Sequence, residues 1–240
     1  MFTIALVGPD GTGKSTISGM LQDLLPLPTK YVYMGINQEA SNVALPTTLL
    51  WKKIKRASGK RTEAGGPPDP SRLQSIPKSP LKRLARELKS DLRTANLIAE
   101  EWFRQFVTWY YQVRGYVVIF DRHFYFDYYK HHIANRSSGR TLGDRVHGFM
   151  LKHIYPKPDL VIFLDAPAEV LFSRKSEGTI ELLEQRRQEY LQFQHMVEFF
   201  KTVDATQSID EVAREVCSLI VDFDRMRKGA GNAFSKPQAK

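Results

Sequence analysis

Residues 2–16 run Phe2-Thr3-Ile4-Ala5-Leu6-Val7-Gly8-Pro9-Asp10-Gly11-Thr12-Gly13-Lys14-Ser15-Thr16. The first six form a short apolar, β-favouring run, and Gly8 to Ser15 fits G-x-x-x-x-G-K-[ST]. Ile17, Met20, Leu21, Leu24 and Leu25 then recur at three- and four-residue spacing, the mark of a helix with one apolar face. A glycine-rich helix cap would look similar locally. A buried strand before the glycines and a helix after them are what a phosphate-binding loop requires.

The residue types suit that chemistry. Glycines let successive backbone N–H groups point inward at phosphate oxygens, and a helix N-terminus adds partial positive charge. Lys14 is expected to reach the β- and γ-phosphates, and the Ser15 hydroxyl to ligate Mg²⁺. A nucleoside triphosphate is thus the expected ligand.

The chain has 240 residues, a net charge of +9 and a pI near 9.6, with 42% hydrophobic and 25% charged residues. That length suits one α/β domain with a sizeable core. Positive charge favours anionic ligands without choosing between nucleotide and nucleic acid. The single cysteine, Cys217, excludes a disulfide framework or cysteine metal site and suits a reducing cytoplasm. It falls in an apolar helical pattern with Val212, Val216 and Ile220, as a small buried hydrophobe would. No segment approaches the ~18 apolar residues of a membrane span. No basic segment precedes the first strand, so no secretory leader is expected. The six histidines show no metal-ligand spacing.

Thr3–Val7, Lys30–Met34, Tyr116–Phe120 and Leu160–Leu164 read as buried parallel strands, with Phe200–Val203 as a fifth. Helical patterns cover Leu92–Arg114, Glu181–Lys201 and Ile209–Met226. This alternation predicts a three-layer α/β P-loop fold, a central parallel sheet flanked by helices. Residues 1–228 are expected to form one domain, with a polar, disordered tail at 229–240. Within it, residues 41–91 stand out: Pro67, Pro68, Pro70, Pro77 and Pro80 are mixed with a dense set of Lys and Arg. They predict a basic insertion after the second strand, partly mobile and partly a short helix at each end, which would be a lid or platform for an anion or simply a solvated loop.

The third strand runs into Asp121-Arg122-His123. Ligands of open α/β sheets bind outside the carboxyl ends of the strands, so Asp121 is expected near the phosphate loop. It is a candidate for Mg²⁺, through water, or for orienting an acceptor. Arg122 is placed to clamp a phosphate by paired hydrogen bonds.

With these segments assembled, the chain resembles the thymidylate kinase family of nucleoside monophosphate kinases. The resemblance is carried by Gly8–Thr16, by Asp121-Arg122-His123, by Leu164-Asp165-Ala166-Pro167-Ala168-Glu169-Val170 with Arg174 after it, and by Val203-Asp204-Ala205-Thr206-Gln207-Ser208-Ile209-Asp210-Glu211-Val212. It implies ATP-dependent, Mg²⁺-dependent phosphoryl transfer, with Lys14, Arg122 and Arg174 as catalytic cations. Asp10 then meets the acceptor's sugar and Arg122 the acceptor's phosphate. Arg174 opens a short LID at residues 174–180, and Ala205 and Thr206 pass over the adenine. ATP and its phosphates are expected on Gly8, Asp10, Gly11, Thr12, Gly13, Lys14, Ser15, Thr16, Arg174, Ala205 and Thr206, with Ser15 and Asp121 holding the metal. Lys175 and Arg187 are further cations within reach of this scheme. The resemblance also suggests a homodimer through apolar helices, for which Trp102, Phe106 and Trp109 are candidates.

The departures fall on the acceptor side. The family's acidic-proline-glycine-glycine segment after the second strand is absent, and Tyr33-Met34-Gly35-Ile36-Asn37 stands there. The position of the arginine expected beside the acceptor's base is taken by Glu100, with Arg93 and Arg104 as compensating candidates. Tyr33, Tyr125, Phe126 and Tyr128 would serve either as an aromatic wall for a base or as packing, and Tyr125 is taken as an acceptor contact. The acceptor is therefore expected to be a small anion, a nucleoside monophosphate not restricted to thymidylate. Two alternatives remain: a kinase acting on the hydroxyl of a nucleoside or other metabolite, and a nucleotide-switched module in which the basic segment grips nucleic acid. Against the latter, that segment carries no recognised nucleic-acid motif.

Overall fold

The computed structural model describes residues 1–35, 41–46, 48–50, 53, 80–128, 142–176 and 178–234, with backbone alone at 80–87, 89 and 230–234. In chain order the described elements are β1 (Thr3–Val7), α1 (Lys14–Leu24), β2 (Thr29–Tyr33), α2 (Pro80–Val113), β3 (Val117–Asp121) and α3 (Phe124–Tyr128). They continue with α4 (Leu142–His153), β4 (Leu160–Asp165), α5 (Ala168–Arg174), α6 (Ile180–Gln192), β5 (Phe200–Asp204) and α7 (Ile209–Phe234).

The strands form one parallel sheet in the order β2-β3-β1-β4-β5, flanked by helices. β1 is its centre: Leu6 lies opposite Asp121 on one side and Ile162 on the other. Every residue of β1 and β3 is buried, because helices cover both faces of a parallel sheet and leave no polar side. Chain connections diverge to either side of β1, so the crevice that binds ligands in such sheets opens where β1 hands over to the phosphate loop.

By internal contacts the chain divides into two compact units. The first comprises Met1–Tyr31, Gly115–Asp121 and Pro158–Lys240. Its core joins Ile4, Leu6, Ile119 and Ile162 of the sheet to Ile17 and Leu21 of α1 and to Val212, Val216 and Ile220 of α7. Each fully buried aliphatic side chain there contributes roughly 1.5–3 kcal/mol. Asp159 accepts hydrogen bonds from Thr3 N and Oγ1, both at 2.8 Å, and from Arg227 Nη1 at 2.7 Å, which pins α7 to the amino-terminal edge of β1. Cys217 is half-buried against this core, and burial raises its thiol pKa, as expected of a packing residue.

The second unit comprises Val32–Arg114 and Arg122–Lys157. Its helices α2, α3 and α4 enclose a buried polar cluster. Glu101 Oε2 lies 2.8 Å from His147 Nε2 and accepts a hydrogen bond from the Tyr155 hydroxyl at 2.8 Å. Trp102 and Phe124 pack their rings on Tyr155 at 5.3 and 4.8 Å.

Several boundaries differ from expectation. The long helix begins at Pro80 rather than Leu92, so residues 80–91 of the presumed insertion belong to it. The helix expected over Glu181–Lys201 ends at Gln192, followed by one 3₁₀ turn at Phe193–His195. Phe200 and Lys201 belong instead to β5, where they pair with Val161 and Ile162. The apolar spacing ran on because Phe199 and Phe200 face buried surroundings from non-helical backbone. α7 runs on to Phe234, into the stretch read as a tail. Of residues 51–91, on which the nucleic-acid alternative rests, 51–52 and 54–79 lie outside the described residues, as do 235–240. Among the described residues no helix is long and apolar enough to cross a membrane.

Candidate active site

The loop after β1 has the backbone its glycines permit. Gly8, Gly11 and Gly13 sit at φ of 151°, 93° and 85°. At Gly11 a side chain would also meet backbone: a Cβ would lie 2.9 Å from the Leu171 carbonyl oxygen. Gly13 is the left-handed N-cap of α1, and no acidic residue occupies the first turn of that helix. Its free N–H groups therefore present partial positive charge at the loop.

Lys14 is buried, 5% exposed, and folds back over the loop. Its Nζ donates to the Pro9 carbonyl at 2.6 Å and to Thr12 Oγ1 at 3.3 Å. Thr12 Oγ1 in turn donates to the same carbonyl at 3.0 Å. These bonds tie the amine to the loop that it follows.

Ser15 Oγ donates to Asp121 Oδ2 at 2.6 Å, across 106 residues of sequence. The Tyr31 hydroxyl donates to the same oxygen at 3.0 Å. Asp121 is 1% exposed, and its other oxygen, Oδ1, is buried without a hydrogen-bond partner among the described residues. Tyr31 was not foreseen as part of the site, and nothing in its local sequence marks it. Only the β2–β3 pairing delivers it.

Helices α5 and α6 supply arginines. Arg174, the last residue of α5, donates from Nη1 to the Ala205 carbonyl at 2.7 Å and from Nη2 to that of Thr206 at 3.4 Å. The presumed LID and adenine-loop residues thus meet. Thr206 N and Oγ1 bond Asp204 Oδ1, and these bonds hold the exposed Asp204 carboxyl below its ordinary range. α6 starts after a short connection, residues 175–179, with Thr179 Oγ1 capping Leu182 N at 3.2 Å. Arg187 forms a two-pronged pair with Asp165, at 2.6 and 2.9 Å, which raises its pKa and anchors α6 to the end of β4. Arg186 then reaches the phosphate loop, with Nη1 2.9 Å from Asp10 Oδ2. Arg186 too was missed by sequence reasoning: adjacent arginines on a helix normally read as a solvated face.

In the second unit, Arg122 adopts φ 63°, in the left-handed region that non-glycine residues rarely enter. Its Cδ lies against Gly35, where a Cβ would come within 2.8 Å of it and within 2.6 Å of the Tyr33 hydroxyl. Arg104, 2% exposed, donates from Nη1 to the Gly35 carbonyl at 2.8 Å and from Nε to that of Val43 at 3.3 Å. Burial lowers its pKa, opposed by the charges of Glu100 and Glu101. Glu100, one turn before it, receives the Leu45 N–H at 3.1 Å. Glu100 and Arg104 therefore clasp backbone segments of their own unit, whereas Arg93 is exposed on α2.

The aromatic candidates Tyr33, Tyr125, Phe126 and Tyr128 are buried, at 5%, 5%, 5% and 9% exposed. Tyr125 meets Phe126 edge-on at 5.4 Å, with Lys157 Nζ 5.3 Å above its ring. His123 is fully buried, and its Nδ1 accepts from Tyr125 N at 3.3 Å. Burial pushes its pKa down to about 3, so its ring is neutral. Among the described residues no His, Cys, Asp or Glu cluster forms a self-contained metal site. On α2, Phe106 and Trp109 are 58% and 38% exposed, with Trp102 more covered.

No protein-family model matches the chain. The chain is similar to a probable thymidylate kinase of Archaeoglobus fulgidus, at 27% identity over 234 residues, covering 95% of this chain and 98% of the relative. It is also similar to a thymidylate kinase of Thermosipho africanus, at 27% identity over 119 residues, covering 45% of this chain and 56% of that protein.

Proposed function

We propose that this chain is an ATP-dependent nucleotide kinase that moves the γ-phosphoryl group of ATP onto the phosphate of a nucleoside monophosphate. The observation that carries the reading is the Ser15–Asp121 hydrogen bond. It joins the phosphate-loop helix to the end of β3, the two motif segments that nucleotide handling needs side by side. The similarity to two thymidylate kinases supports the same class of reaction.

Phosphoryl transfer needs in-line placement and positive charge more than covalent chemistry. In this reading the loop amides and Lys14 bind the β- and γ-phosphates, and Arg174 with the Ala205-Thr206 segment lines the adenosine side. Arg122 binds the acceptor's phosphate and Asp10 its sugar. An arginine that acts on the transition state contributes up to about 10³-fold or more in rate. The hard oxygen donors Ser15 Oγ and Asp121 Oδ1, the latter buried and unpartnered among the described residues, fit a magnesium ion. Held by Ser15 and Asp121, a magnesium ion would supply positive charge against the charge that develops on the transferred phosphoryl group.

The departures at Glu100, Arg104 and Gly35 favour an acceptor pocket rebuilt relative to the family. The test is an ADP-release assay with Mg·ATP against a panel of ribo- and deoxyribonucleoside monophosphates and free nucleosides, with Lys14→Ala as the blank. Turnover with one monophosphate, abolished in the blank, is expected. Turnover with nucleosides alone would move the acceptor to a hydroxyl. Near-normal activity of Lys14→Ala would overturn the mechanism.

A further inference from the structure

We infer that Tyr31 is a positioning residue for the divalent cation: it and Ser15 hold one oxygen of Asp121 so that the other faces a magnesium ion or its bound water. This rests on the nucleotide-kinase reading above.

Both donors converge on Oδ2, at 2.6 Å from Ser15 and 3.0 Å from Tyr31, and Oδ1 is buried with no hydrogen-bond partner among the described residues. A carboxylate 1% exposed pays a large desolvation penalty if one oxygen is left without a partner. Two donors on one oxygen and none on the other is the pattern expected where a cation completes the set. Ser15 does not have to abandon Asp121 for that role: a hydroxyl has lone pairs for a metal and still donates its proton. The Tyr31 hydroxyl donates to Oδ2 alongside Ser15. It fixes the carboxylate's rotation, as outer partners of metal ligands do. β2 lies beside β3 in the sheet, and that pairing is what aims the ring at Asp121.

The test separates a metal role from a structural one. Tyr31→Phe keeps the ring and deletes only the hydroxyl. Equilibrium titration with a fluorescent ATP analogue is run in EDTA and across a Mg²⁺ series, alongside thermal unfolding. Affinity in EDTA is expected to match the parent chain. The gain in affinity that Mg²⁺ confers is expected to shrink about tenfold, with the Mg²⁺ midpoint moving by a similar factor. Asp121→Asn is expected to remove that gain, and Tyr31→Phe on that background to add nothing. A parent-like Mg²⁺ gain in Tyr31→Phe would overturn the proposal, as would equal losses with and without Mg²⁺ or simple additivity with Asp121→Asn. If the parent chain itself fails to bind the analogue under both conditions, it is the nucleotide reading that falls.

Discussion

Gly35→Ala offers a sharp test of where the acceptor's phosphate binds. Gly35 is not among the glycines at positive φ, so alanine meets no backbone strain there and the cost is steric. The new Cβ would stand 2.6 Å from the Tyr33 hydroxyl and 2.8 Å from Arg122 Cδ. Ordinary carbon contacts lie near 3.5–4.0 Å, so each neighbour must retreat by roughly 1 Å. The glycine itself has little room to yield, because Arg104 holds its carbonyl at 2.8 Å. The obstructing atoms all belong to two side chains, Tyr33 and Arg122, so overpacking should cost about 1–3 kcal/mol. Reduced freedom of the unfolded chain offsets about 0.4–1 kcal/mol of that. The net loss in stability is therefore about 1 kcal/mol, readable by urea unfolding. The effect on turnover should be larger, since a displacement of about 1 Å in a phosphate-clamping guanidinium can cost on the order of 10²-fold. Steady-state kinetics should show acceptor kcat/KM falling by about that factor, with ATP affinity within twofold of the parent. Gly11→Ala is the contrast: its Cβ meets the Leu171 backbone oxygen at 2.9 Å with φ at 93°, so ATP binding itself should fail. Unchanged acceptor kinetics in Gly35→Ala, with the small stability loss present, would show that Arg122 does not carry the acceptor.

Arg122→Ala should leave ATP affinity intact and depress acceptor kcat/KM by about 10³-fold; a loss confined to ATP binding would reverse the roles of the two halves. Tyr155→Phe removes a hydrogen bond to the buried Glu101 carboxylate and should cost about 1.5–3 kcal/mol in urea unfolding, with the ring stack on Trp102 and Phe124 kept. His123 stays neutral in the folded chain down to about pH 3, whereas the unfolded chain protonates it near 6.5. The unfolded state therefore binds the extra proton between those values. Stability from this group is complete above about pH 6.5 and declines as pH falls, by up to about 1.4 kcal/mol per unit. His123→Asn keeps an acceptor for Tyr125 N but does not titrate. Its loss of stability from pH 7 to pH 5 should be smaller than the parent's by about 1.5–2 kcal/mol, and identical acid limbs would exclude the assignment.

The local spelling of the chain was enough for the backbone of the glycine loop and for the sheet. Gly8, Gly11 and Gly13 demand backbone that other residues avoid, and the apolar runs of β1, β3 and β4 are buried on both faces, so their signal is continuous. Asp121 was legible for the same reason, as the first charge at the end of a buried strand. Boundaries failed where burial did not follow one period, as at Phe199 and Phe200, whose side chains mimic a continuing helix face. The fate of the charged side chains was beyond local reading. Glu100 and Arg104 were read as acceptor contacts, and the structure adds that each bonds backbone far away in sequence, Glu100 across 55 residues and Arg104 across 69. Tyr31 and Arg186 were not singled out at all, yet one bonds Asp121 across 90 residues and the other pairs with Asp10 across 176. Sequence determined which backbone each segment adopts, because propensity, glycine freedom and burial act locally. Only the tertiary structure decided which polar groups meet, because hydrogen bonds and ion pairs depend on distances that strand order and helix packing set.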